Sequence, residues 1–182
     1  NDGAAALTSS SKKEKDENEI VWGSSGKPNG KVLEAWRQGF VFAEKLNGAL
    51  VQLKNGPCGV IAVVQALLLS RRLTPREREK KQTFETIFKK PIDDDELAFV
   101  LATIILKCRD DSDITQAGIA EWKDSFEKIT LKTSKDGVYA LVRENVSKFR
   151  NEFGMLRLVY SMVLSRGVNK IQKDLQDDAE NP

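Results

Sequence analysis

The stretch "LVQLKNGPCGVIAVVQALLLS", residues 50–70, holds the most apolar run in the chain, with a cysteine at its mouth directly after Asn-Gly-Pro. From Pro57 to Ser70 the pattern is apolar on every side, interrupted only by Gln65. A helix that is apolar all round is a buried helix, and a run rich in Ala and Leu favours helix over strand. Proline suits the first helical position, where its missing N–H would be unsatisfied anyway, and Asn55 or Gly56 is placed to cap it. Cys58 then falls in the first turn, where free backbone N–H groups and the positive end of the helix dipole favour the reactive thiolate. Gly59 leaves room beside the sulfur, and Gln52 is placed to offer a side-chain amide to the oxyanion of acyl transfer. The same residues also read as packing. Cysteine is among the most buried residue types, and a lone glutamine among aliphatic neighbours says little. Local physics leaves both readings open.

Composition narrows the field. With 182 residues the chain has the length of one domain, or most of one, and enough apolar residues for a core. Its 29 basic and 27 acidic residues leave a net charge of +2, which gives no bulk electrostatic argument for nucleic acid or membrane. The two cysteines, Cys58 and Cys108, supply no disulfide framework and no metal-ligand spacing, and with no histidine in the chain a zinc site is not expected. No cofactor motif is present. The apolar run is too short for a bilayer, which takes about 20 residues, and no signal-peptide pattern opens the chain. An intracellular protein, cytoplasmic or nuclear, is expected.

Residues 1–19, "NDGAAALTSSSKKEKDENE", have almost nothing to bury and read as a disordered tail, leaving 20–182 as the folded part. "IVWG" reads as a short strand, "SSGKPNGK" as a turn, and "VLEAWRQGFVFAE" as a helix that becomes extended near Gly39, with Trp36, Phe40 and Phe42 in the core. "LNGALVQL" reads as a turn and a short extended segment. The basic cluster Arg71, Arg72, Arg76, Arg78, Lys80 and Lys81 lacks interleaved aromatics and is diluted by Glu77 and Glu79, so it reads as a solvated surface.

"PIDDDELAFVLATIILKC" predicts a helix, with Leu97, Val100, Leu101, Ile104, Ile105 and Cys108 on one stripe. Asp93, Asp94, Asp95 and Glu96 are helix-start charges, because no calcium-loop spacing surrounds them. Cys108 reads as an inert core thiol. "FEKITLK" alternates as one strand, and Val138, Leu141, Val142, Val146 and Phe149 mark another helical face. "FGMLRLVYSMVL" predicts a second helix apolar all round, ending near Gly167, with Arg157 reaching out at its edge. The fold class is α+β, mainly helical with a few short strands.

"VQLKNGPCGVIAVVQALLL" resembles the catalytic cysteine block of the MINDY deubiquitinases: a Gln, then Gly-Pro-Cys, then a small-apolar helix containing "VQ". "VWG" followed by "WRQGFVFAE" resembles that family's approach to the block, and "FRNEFGMLRLVYSMVLSRGVNKIQKDL" resembles a downstream helical segment. The resemblance covers roughly residues 20 to 175. It implies a papain-like cysteine protease fold with the nucleophile at the start of a buried central helix. It also implies an isopeptidase that trims polyubiquitin of the proteasome-targeting linkage. Residue by residue, Cys58 matches the nucleophile and Gln52 the oxyanion-stabilising glutamine. The family's catalytic histidine, which lies beyond the downstream segment, has no counterpart here. The expectation is therefore an N-terminal portion of a catalytic domain, incomplete at its C-terminus. By itself it would have little or no activity, because the leaving amine needs a proton donor. Ubiquitin or polyubiquitin is the implied partner. The alternative is a non-catalytic polyubiquitin-binding pseudoenzyme or interaction module.

Overall fold

The structure, a computed structural model, describes residues 17–53, 55–73, 83–109, 117–122, 126–132 and 134–180. After a helical stretch at 17–22 come α1 (Gly30–Trp36), α2 (Cys58–Arg72), α3 (Phe84–Ile87) and α4 (Asp94–Cys108). Strands β1 (Ala117–Trp122) and β2 (Phe126–Lys132) follow, then α5 (Lys135–Glu144), α6 (Val146–Arg150), α7 (Gly154–Arg166) and α8 (Val168–Glu180). The expected mainly helical architecture is present. Of the expected N-terminal tail, residues 1–16 lie outside the described residues, and 17–19 open the first helical stretch.

The hub of the core is α4. Its start is fixed by a capping box: Asp93 accepts the Glu96 N–H at 2.8 Å, and the Glu96 carboxylate accepts the Asp93 N–H at 3.4 Å. Leu97, Ala98, Val100, Leu101, Ala102, Ile104 and Ile105 are buried along it, and α2, α5, α6, α7 and β1 all pack on it. The carboxylates of its first turn are structural. Asp94 accepts from Arg150, Asp95 from Arg143 and Glu96 from Arg72. Helix α7 is buried on nearly all sides, as its apolar run predicts.

The antiparallel pair β1–β2 lies on α7, in register from Ala117↔Lys132 to Glu121↔Lys128, with an irregularity at Glu121/Trp122. β2 matches the expected strand; β1 was not anticipated. The Ala120 N–H donates to the Ser161 hydroxyl of α7 at 2.9 Å. Arg157 does not reach out at the edge. It is 5% exposed, donating to the Lys148 carbonyl at 2.7 Å and to Glu121, a half-buried carboxylate on β1 that holds it inward.

Two further expectations change. "IVWG" is not a strand: 17–22 are helical, and Trp22 packs edge-on to Trp36 and donates its indole N–H to the Tyr160 hydroxyl at 2.9 Å. The cysteine helix is not the buried central helix. Only Ile61, Val64 and Leu68 of α2 are buried, and Val63 is 52% exposed. One face of α2 packs on α4, and its opposite face, with Ala62, Val63 and Ala66, is open among the described residues.

Arg72 fastens the end of α2. Its guanidinium donates to Glu96 at 2.8 Å and to the carbonyls of Lys90 and Pro91 at 2.6 and 2.9 Å, and it lies over the Phe88 ring. It is therefore a structural arginine, while Arg76, Arg78, Lys80 and Lys81 of the basic cluster lie outside the described residues. Arg72 holds the Glu96 carboxyl below its ordinary value of 4.5, chiefly through the side-chain hydrogen bond. A depressed folded-state pKa stabilises the fold above the unfolded value, and that stability is lost as pH falls through the folded one. Arg72→Met is expected to cost about 1.5–3 kcal/mol near neutral pH. It should also flatten the acid limb of stability below the ordinary Glu96 pKa of 4.5. Urea unfolding of both proteins across acid pH checks both effects.

Candidate active site at the cysteine turn

The site is assembled from the chain before α2. Residues 41–51 double back on themselves: Phe42 and Leu50 form an isolated antiparallel bridge, the Val51 N–H donates to the Val41 carbonyl at 2.9 Å, and the Ala43 N–H to the Ala49 carbonyl at 2.8 Å. Gln65, the one polar break in the apolar run, holds this loop from α2. Its Oε1 accepts the Leu50 N–H at 2.8 Å, and its Nε2 donates to the Gly48 carbonyl at 2.9 Å. Gln38 holds the next residues, with Oε1 accepting the Leu53 N–H at 2.9 Å. Gln52 sits between these two anchors with its side chain exposed.

The turn into α2 is tight. A Cβ on Gly56 would stand 2.3 Å from the Ala35 carbonyl oxygen, so only glycine fits against the end of α1. Pro57 is the N-cap of α2 and Cys58 its first residue, one position later than the sequence suggests, because the Pro57 carbonyl already accepts the Ile61 N–H at 3.1 Å. No side chain caps the helix, and its first turn carries no acidic residue. The Cys58 N–H donates to the Gly56 carbonyl at 2.7 Å. Gly59 has open space beside it, with nothing within 4 Å of an added Cβ.

Cys58 is a free cysteine and is exposed. Gln52 and Cys58 lie on the two arms of one turn, both facing solvent, and among the described residues no hydrogen bond joins their side chains. Lys54 lies outside the described residues. Cys108 differs: it is half-buried against the core, and burial pushes its thiol above the ordinary 9.0, an effect Arg166 partly offsets. Phe40 is fully buried, while Trp36 and Phe42 are half-buried against the core. Gln38 is the residue that sequence reasoning missed. A single glutamine inside "WRQGFVF" carries no signal of its partners, which lie 15 and more residues away.

Among the described residues no group of three or more His, Cys, Asp or Glu is placed to hold a metal ion, and no helix is long and apolar enough to cross a membrane. The family model "Deubiquitinating enzyme MINDY-3/4, conserved domain" matches residues 18–181. The chain is 30% identical over 202 residues to ubiquitin carboxyl-terminal hydrolase MINDY-3 of Danio rerio, covering 89% of this chain and 44% of that protein. It is 27% identical over 197 residues to MINDY-3 of Homo sapiens, with the same coverage of 89% and 44%. A shorter match, 45% identical over 51 residues, is to the MINDY-3 homolog of Drosophila melanogaster, covering 28% of this chain and 9% of that protein. The chain thus spans less than half the length of the vertebrate relatives it matches. No solved structure matches it.

Two expectations follow from the turn. Gly56→Ala should destabilise the fold by about 1–3 kcal/mol through backbone overpacking. Gly59→Ala, in an open helical position, should leave stability unchanged or raise it by about 0.5–1 kcal/mol; thermal melts compare them. Iodoacetamide at neutral pH should alkylate Cys58 before Cys108, read by peptide mass spectrometry on the native protein.

Proposed function

The chain belongs to the MINDY-3/4 deubiquitinating-enzyme family, and we propose that the whole protein is a thiol-dependent hydrolase of isopeptide bonds in polyubiquitin of the proteasome-targeting linkage. Cys58 is the nucleophile and Gln52 the oxyanion donor. The observation that carries this reading is the placement of Cys58: an exposed thiol at the first residue of a helix, behind a glycine turn that admits no side chain.

The thiolate attacks the isopeptide carbonyl carbon, and the carbonyl electron pair moves onto oxygen. The uncapped first turn of α2 and the Gln52 amide offer donors to that oxyanion, the usual large term in acyl transfer. Collapse of the intermediate breaks the C–N bond, and the leaving lysine amine takes a proton. Water then hydrolyses the thioester and releases the ubiquitin carboxylate. The proton step needs a general acid poised near neutral pH, and the 182 residues include no histidine. We assign that acid to a part of the whole protein outside these residues, so residues 1–182 alone are expected to have little or no turnover. The missing histidine also supports the second reading, a polyubiquitin-binding module without catalysis.

In the full-length protein, ubiquitin bearing a C-terminal electrophile is expected to form a thioether at Cys58, and Cys58→Ala to abolish it. Full labelling of Cys58→Ala would sink the assignment. Gln52→Ala should lower the rate of polyubiquitin hydrolysis by about 100- to 1000-fold. Binding without turnover in the full-length protein, with no histidine near Cys58, would favour the module.

A further inference from the structure

Gln38 is 1% exposed, and the fold treats its two amide atoms differently. Oε1 accepts the Leu53 N–H at 2.9 Å, whereas Nε2, also buried, has no hydrogen-bond partner. A buried donor has given up its bonds to water, so an unmade bond there is costly, and native folds keep few such groups. The surroundings of Nε2 suggest what it is for. It lies 3.3 Å from the point where a Cβ on Gly56 would stand, which aims it at the Gly56-Pro57-Cys58 turn.

That turn has its own irregularity. The Gly56 carbonyl accepts the Cys58 N–H at 2.7 Å, a bond spanning only two residues, of the kind found in γ-turns. While that bond stands, the backbone N–H of the nucleophile is turned to its own chain and is not offered to a substrate oxygen. Opening it would release a donor beside the sulfur and an orphaned carbonyl on Gly56. Gln38 Nε2 is a buried donor without an acceptor, beside Gly56, whose carbonyl would then lack a donor.

We propose that Gln38 is a positioning residue of the cysteine turn: its Oε1 holds the segment carrying Gln52, and its Nε2 takes over the Gly56 carbonyl when the turn opens, freeing the Cys58 N–H for the oxyanion. Gln38 touches neither substrate nor the reacting atoms. Its backbone is held independently, with its carbonyl accepting the Met155 N–H of α7 at 3.0 Å, so the side chain works from a fixed base. This inference rests on the reading of Cys58 as nucleophile and Gln52 as oxyanion donor.

The test uses the full-length protein, polyubiquitin hydrolysis and the ubiquitin electrophile. Gln38→Met keeps the volume and removes both hydrogen bonds. Gln38→Glu keeps an acceptor for the Leu53 N–H and lacks the donor whenever the carboxyl is ionised. For Gln38→Met, kcat is expected to fall on the order of 100-fold with KM unchanged, the signature of lost transition-state geometry. For Gln38→Glu, activity relative to wild type should recover as pH falls and the protonated carboxyl regains an O–H donor. Wild-type kcat in Gln38→Met, or a loss confined to KM, would overturn the assignment. Should Gln38→Met lose its cooperative melt, the pH profile of Gln38→Glu decides: recovery supports the proposal, and a flat ratio to wild type overturns it. A wild-type protein that does not label at Cys58 overturns the underlying functional reading instead, which separates the two failures.

Discussion

Two backbone hydrogen bonds tie the approach to the cysteine turn to the most buried part of the core. The Met155 N–H donates to the Gln38 carbonyl, and the Phe40 N–H to the Phe149 carbonyl, both at 3.0 Å. Between them Gly39 passes so close to the carbonyls of Arg150 and Asn151 that an added Cβ would lie 2.3 Å from each oxygen. Three consecutive residues are thereby fixed against the α6–α7 junction. From this fixed point the Gln38 side chain reaches Leu53, Ala35 closes over Gly56, and the loop that carries Gln52 and Cys58 takes its position. The exposed site thus inherits its geometry from buried backbone.

The second support comes from α2. Gln65 bonds the loop at Gly48 and Leu50, and Arg72 bonds α2 to the start of α4 through Glu96 and two carbonyls. The middle and the C-terminal end of the cysteine helix are therefore held by polar bonds, alongside a short apolar seam of Ile61, Val64 and Leu68. An apolar helix with such a seam leaves hydrophobic area open, which in other proteins marks a surface meant to be covered. Leu53 and Val63 are among the exposed large hydrophobics of the chain.

Much of this was legible in the sequence, because periodicity and composition report local choices. The stripe from Leu97 to Ile105 gave α4, and the unbroken run from Met155 to Val163 gave α7. The run after Cys58 gave a helix but not its surroundings: composition shows that a face can be buried, and not whether neighbouring chain is there to bury it. "IVWG" has strand-like residues, yet Trp22 is better satisfied as a helix end packed on Trp36 and bonded to Tyr160. Arg157 looked like an edge residue because its partner Glu121 sits on a strand with no sequence signal. At the site, the sequence singles out Cys58 and Gln52 by their words and spacing. Gln38 was not, since its meaning lies wholly in contacts made after folding.

The proposed function makes the Gly-Pro-Cys turn the chemical centre of a ubiquitin hydrolase, with the thiol of Cys58 as its reacting atom. A structure of the full-length protein trapped with a ubiquitin C-terminal electrophile tests it most directly. A covalent bond to the Cys58 sulfur is expected, with the Gln52 amide within hydrogen-bond reach of the ubiquitin C-terminal carbonyl oxygen. A bond to any other residue, or a Gln52 side chain turned away to solvent in the adduct, would contradict it.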